Sequence, residues 1–199
     1  RRIQTRQILP AQHRPLQMMN MDSAIRRQTL GDLLRRSAAR TPNRTAVMCG
    51  DFAWTYAELD TLCNRLAAGL AACGIVRGDR VAILSRNSHA FAAMRFALAR
   101  LGAVLVPINF MLRPEEAAYI LRHSASRLLC VDSELVELGR QAAGLDTVVE
   151  QLLWLPGEEL REPVRGLLNF DELCETRSAP PQVELGGDDL AQIIYTSGT

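Results

Sequence analysis

The sequence predicts an α/β fold, a mainly parallel sheet with helices on both faces, and three observations carry that prediction. Two unbroken apolar runs, VAIL at 81–84 and AVLVPIN at 103–109, have the character of strands covered on both sides. Segments of helical period separate the apolar runs. The resulting crossovers of a dozen or more residues join parallel rather than antiparallel neighbours. Ligands of such sheets bind at the carboxyl ends of the strands.

The elements follow in order from local chemistry. Thr29 and Asp32 have N-cap and N3 spacing, Leu30, Leu33 and Leu34 share one helical face, and Pro42 lies just past the end. TAVMCG and FAWTY flank a Gly50-Asp51 turn and read as a hairpin. Thr55 and Glu58 form a capping-box pattern that opens a helix with Leu59, Leu62, Cys63, Leu66, Leu70 and Cys73 at the 3.6 period. Gly74 stands where a left-handed cap ends it.

After Gly78-Asp79 comes VAIL, then the loop Ser85–Ser88, then a helix with Phe91, Met94, Leu98 and Leu101 on one stripe, closed by Gly102. Asn87 and Ser88 follow a buried strand. A ligand role is open to them, but opening the next helix suits them better; Asp79 and Arg80 read as turn or surface-pair residues. Pro107 falls near the end of AVLVPIN, where a lost ladder bond costs least. Pro114 with Glu115 and Glu116 starts a helix through Leu121, RLLCVD gives another strand, and Ser133–Ala143 a helix. From about Pro156 to Asp189 the composition turns to Pro, Gly and acids, with one helical turn at NFDELCE. This is a surface connection that delivers the chain to a final strand.

The bulk properties exclude several classes of function. A chain of 199 residues with 48% hydrophobic and 23% charged residues can bury a sizeable core. A net charge of +1 supplies no field for nucleic acid or a membrane surface. No stretch approaches the roughly 18 apolar residues of a membrane helix, so no integral membrane segment is expected and a soluble, cytoplasmic protein is. Cys49, Cys63, Cys73, Cys130 and Cys174 are far apart and form no C-x-x-C pair, so they read as reduced, buried packing residues rather than zinc ligands or a disulfide framework. His13, His89 and His123 are isolated. All 23 cations are Arg and none is Lys, so chemistry that needs a lysine must come from elsewhere.

Residues 1–20 hold Arg1, Arg2, Arg6 and Arg14, no acid and no periodicity. Three readings fit: an unstructured leader upstream of the true start, a tag-like extension, or an Arg-rich transit peptide. Met18, Met19 and Met21 favour the first, and scarcity of Ser weakens the last.

At the other end AQIIYTSGT passes from an apolar run into Thr196, Ser197, Gly198 and Thr199. Three hydroxyls and several backbone N–H groups in one turn suit phosphate oxygens, and Gly198 permits close approach. Taken alone, such a run also fits an ordinary turn. Neither G-x-x-x-x-G-K-[ST] nor G-x-G-x-x-G occurs, which disfavours P-loop NTPases and dinucleotide dehydrogenases.

TYAELD (55–60), GDRVAIL (78–84), Asn87-Ser88, GAVLVPIN (102–109) and DDLAQIIYTSGT (188–199) together resemble, in order and spacing, the successive blocks of the adenylate-forming enzymes. That superfamily comprises acyl-CoA synthetases, luciferases and peptide-synthetase adenylation domains. The resemblance covers about residues 29–199 and implies the N-terminal domain of that fold, cut within a phosphate loop that continues in the family as Thr-Gly-x-Pro-Lys-Gly. His89 departs from the acidic residue many relatives carry.

The resemblance implies that Mg-ATP activates a small carboxylic acid as an acyl-adenylate, after which the acyl group passes to a thiol, commonly coenzyme A. Thr196, Ser197, Gly198 and Thr199 would contact the phosphates, and the Thr196 hydroxyl would stand beside the magnesium. The loop lysine, the adenine and ribose contacts, the acidic metal ligand, the acyl pocket and the mobile C-terminal domain would lie outside the chain. The implied function is part of an acyl-CoA synthetase for a fatty or aromatic acid, with residues 21–199 in the ligase domain and the 199 residues alone inactive. A coenzyme A synthetase is preferred to a peptide-synthetase module because the first helix begins close to the start. The competing expectation is a non-catalytic relic or interaction module that keeps the sheet and has lost the chemistry.

Overall fold

A computed structural model describes residues 29–157, 162–179 and 182–196. The segment 1–20 and the residues Ser197, Gly198 and Thr199 lie outside the described residues. The elements are α1 (Leu30–Arg40), β1 (Thr45–Cys49), β2 (Phe52–Thr55), α2 (Tyr56–Ala72), β3 (Arg80–Leu84), α3 (His89–Leu101), β4 (Val104–Ile108), α4 (Pro114–Ser124), β5 (Ser126–Asp132), α5 (Val136–Ala143), β6 (Gln151–Leu155), β7 (Leu168–Asn169) and α6 (Phe170–Cys174).

Five strands form a parallel sheet in the order β4-β3-β5-β6-β7, and β1 pairs with β2 as a separate antiparallel hairpin. Strand residues alternate between the two faces. Val81, Ile83, Leu128, Cys130, Leu153 and Leu155 pack against α1, α2, α3 and α6, whereas Ala82, Leu84, Val106, Leu129 and Val131 pack against α4 and α5. Helices therefore cover both faces, as the unbroken apolar runs require.

Caps fix the helix starts. Thr29 Oγ1 accepts the Asp32 N–H at 3.2 Å, and Glu58 Oε2 accepts the Thr55 N–H at 2.8 Å, so both boxes close. Gly74 (φ +87°) and Gly102 (φ +69°) take the left-handed conformation at the ends of α2 and α3. Asp79 shapes its turn by accepting the Val76 N–H at 2.9 Å, and it pairs with Arg127 at 2.9 Å. Arg80 donates to the carbonyls of Ser124 (2.6 Å) and Ala125 (2.8 Å), tying the carboxyl end of α4 to the start of β3.

Three differences from the sequence reading have local causes. The helix expected from Ser133 begins at Val136, because Asp132 Oδ1 takes the N–H groups of Glu134 and Leu135 and holds the chain in a turn. The stretch 144–155, which the sequence reading leaves unassigned, contains β6, a full partner of β5.

The third difference is the final strand, which is reduced to a single bridge between Gln192 and Leu105. Leu105 donates to Ala191 O (3.1 Å) and accepts from Ile193 N–H (2.9 Å), whereas Val104 donates toward β3, to Asp79 O at 2.7 Å. Odd-numbered β4 residues therefore face the incoming segment, and the next in line is Pro107, which has no N–H to give. The ladder stops there. Ile193 and Tyr195 pack on the α4 and α5 side, and Ile194 between them is 67% exposed.

Candidate functional site

At Gln192 the chain runs parallel to β4, and so toward the carboxyl ends of the strands. The turn before it is anchored by Asp189, whose carboxylate accepts the Gly186 N–H at 2.7 Å and the Arg77 guanidinium at 2.5 and 3.1 Å. The Gly186 bond and then the Arg77 pairing hold that carboxyl below its ordinary range. Thr196 follows three residues after Ile193, exposed and outside any regular element. Of the four residues expected to grip phosphate, Thr196 is the described one.

Sequence order also creates a divergence inside the sheet. From β3 the chain moves outward to β4, then returns to place β5 on the other side of β3, and the helices that follow β3 and β5 lie on opposite faces. Open parallel sheets take ligands at such a point. Here Asp132, 5% exposed, occupies it: Oδ2 accepts the Arg86 N–H at 2.9 Å, and Oδ1 accepts those of Glu134 and Leu135 at 3.1 Å each. The chain thus supplies its own anion to the N–H groups that could otherwise hold a foreign one. Sequence reading missed this residue, although an acid closing the apolar run RLLCV was a turn signal.

The loop after β3 is also committed. Ser85 Oγ donates to Arg86 O at 2.7 Å, the Arg86 guanidinium pairs with Glu134 and lies 5.6 Å from the Phe110 ring centroid, and Asn87 is exposed. Ser88 Oγ accepts the Phe91 N–H at 3.2 Å, so it caps α3 as expected. His89 begins α3 buried against the hairpin, its ring 4.3 Å from that of Phe52 and edge-on to Trp54 at 5.1 Å. Nδ1 has no hydrogen-bond partner among the described residues, and burial lowers the pKa of the ring.

Of the five free cysteines, Cys63, Cys130 and Cys174 are buried as expected, whereas Cys49, at the end of the edge hairpin strand β1, and Cys73, just past the end of α2, are only half-buried. Among the described residues no group of three or more His, Cys, Asp or Glu could hold a metal ion, and no helix is long and apolar enough to cross a membrane. Beside β4 the bridged segment leads on to the exposed Thr196.

An open parallel sheet whose divergence is filled by Asp132 and whose β4 edge is bridged by the segment leading to Thr196 defines an α/β domain of the doubly covered kind. The comparison with known families gives that class its name: the chain belongs to the AMP-binding enzyme family, whose model matches residues 34–199. Similar proteins include the long-chain-fatty-acid–CoA ligase FadD13 of Mycobacterium tuberculosis, 36% identical over 178 residues that make up 86% of this chain and 33% of that protein. The 3-hydroxybenzoate–CoA/4-hydroxybenzoate–CoA ligase of Thauera aromatica is 34% identical over 157 residues, 78% of this chain and 29% of that one. Among solved structures, the anthranilate CoA ligase AuaEII in complex with anthranoyl-AMP superimposes with a TM-score of 0.77 at 26% identity, over 86% of this chain and 33% of that one. The chain spans about a third of the length of these relatives.

Proposed function

We propose that this chain supplies the amino-terminal part of an ATP-dependent acid–thiol ligase, which converts a fatty or aromatic carboxylic acid to its acyl-adenylate and transfers the acyl group to coenzyme A. The observation that carries this reading is the exposed Thr196 at the head of the hydroxyl-rich run, inside the family match and on a segment parallel to β4. Relatives named for long-chain and for hydroxybenzoic acids support the breadth of the acid class. In this reading residues 21–199 belong to the ligase domain, residues 1–20 precede it, and the enzyme works in the cytoplasm.

The residues present fit a nucleotide that brings its own cation. Of the described residues the exposed Thr196 hydroxyl would stand beside the magnesium, which the phosphate oxygens and an acidic ligand outside these 199 residues would hold. Bound there, Mg-ATP supplies a reactive phosphoryl centre whose charge the metal neutralises. The hydroxyls of Thr196, Ser197 and Thr199 and the N–H groups of the run would donate to phosphate oxygens, and Gly198 would leave room for their close approach. All 23 cations of the chain are Arg, so the lysines the family places in this loop and in its C-terminal domain are not among these 199 residues. These residues alone therefore do not adenylate.

The test is acid-dependent ATP–pyrophosphate exchange. The full-length product of the gene that encodes these residues should catalyse it with a fatty or benzoic-type acid and form the thioester when coenzyme A is added, while the 199-residue polypeptide should show none. Exchange by the 199 residues would overturn the requirement for the lysines. A full-length product that folds, binds no nucleotide and exchanges nothing would establish the non-catalytic interaction module instead.

A further inference from the structure

Between the end of the β4 ladder and Thr196 the backbone has no strand partner among the described residues. Pro107 closes the ladder after Ile193, and Thr196 lies three residues on. What holds the chain in between is a side chain: Tyr195 Oη lies 2.8 Å from His123 Nδ1, with the two rings edge-to-face at 5.7 Å. His123 is itself fixed. It sits in the last turn of α4, stacked at 5.7 Å and 24° on Tyr119 one turn earlier. Arg80 ties the carbonyls of the next two residues, Ser124 and Ala125, to the start of β3. The Ser124 hydroxyl is bonded back to Ile120 O at 2.7 Å and to the Ser126 hydroxyl at 2.7 Å. The tether thus runs from a rigid helix end to the residue directly before Thr196, whose Cα is a single ~3.8 Å step away.

We infer that His123 is a positioning residue for Thr196, acting through the Tyr195 hydroxyl. The inference rests on the reading of Thr196 as a phosphate contact. It accounts for two polar groups that sequence analysis left idle, a lone histidine and the tyrosine ahead of the run. It also predicts where their effect appears: in the capture of ATP, not of the acid.

The experiment uses the full-length product in pyrophosphate exchange with His123→Phe, which keeps the ring stacking, Tyr195→Phe, which removes one oxygen, the double variant, and His123→Asn, which returns a polar atom near the Nδ1 position. Each Phe variant should raise KM for ATP about three- to tenfold, the worth of one hydrogen bond, with KM for the acid unchanged and kcat within about twofold. The double variant should be no worse than Tyr195→Phe alone, since that change removes the His123 contact together with the hydroxyl's interaction with Ser124, and Asn should recover most of the His123→Phe loss. Amide exchange over 193–196 in the 199-residue chain should quicken in both Phe variants. Unchanged KM for ATP, additive effects, or equal losses in both KM values would overturn the inference while leaving the ligase reading intact. No exchange by the wild-type full-length product would remove that reading and the inference with it, and amide exchange would then report the tether as structural alone.

Discussion

Restoring an amide donor at position 107 tests the account of how the sheet edge ends. Pro107→Val places an N–H on the side of β4 that faces Ile193 O, because Leu105, two residues earlier, already donates to and accepts from that segment. The bond gained is worth about 0.5–1.5 kcal/mol. Losing proline's restriction of the unfolded chain costs about 0.4–1 kcal/mol. The two nearly cancel, so Tm should move by no more than a few degrees. Locally they do not cancel, because opening of the 191–196 segment leaves position 107 folded. One bond of about 1 kcal/mol should then slow amide exchange across 193–195 roughly fivefold. Hydrogen exchange read by mass spectrometry on peptides covering 186–199 resolves such a change. Exchange at the wild-type rate in the valine variant would refute the argument that a missing donor is what stops the ladder.

Two further outcomes follow from buried titratable groups. Burial pushes the Cys63 and Cys174 thiols up to about 12, and Cys130 upward as well, so at pH 8 they are protonated and shielded. Iodoacetamide on the native chain should modify Cys49 and Cys73 and reach the other three after denaturation; native labelling of Cys130 would contradict its burial in the sheet. Burial also lowers the His89 pKa, with Asp171 opposing it. The unfolded chain therefore takes up the proton first as pH falls, so stability from this group is full above about pH 6.5 and declines below it. In thermal unfolding, His89→Phe should flatten the decline between pH 7 and 5; identical slopes would show that folding does not shift the His89 titration.

Much of the fold is legible in local sequence because its determinants are local. Thr29 with Asp32 and Thr55 with Glu58 close their own caps within three residues, and Gly50-Asp51 turns a hairpin whose strands pair directly. The features that escape are those a distant partner decides. Gln151–Leu155 becomes a strand because β5 offers it an edge, and Leu168–Asn169 pairs over two residues, too short for any period to show. Ile193–Tyr195 has the composition of a strand, yet the count of its ladder bonds depends on which side of β4 Pro107 faces, a fact of register. The site divides in the same way. The proposal for Thr196 starts from its type and sequence neighbours, whereas the contacts of Asp132, Arg80 and His123 depend on groups 46, 44 and 72 positions away.

The carboxylate of Asp132 at the divergence of β3 and β5 bears on how such a domain can change over time. An interior crevice that had to stay open for a ligand would tie the stability of the sheet to the chemistry of whatever bound there. With that crevice closed by the chain's own acid, the five strands are complete without a guest. Substitutions in the segment after Ile193 then leave the Asp132 contacts that join the β3 and β5 ends untouched.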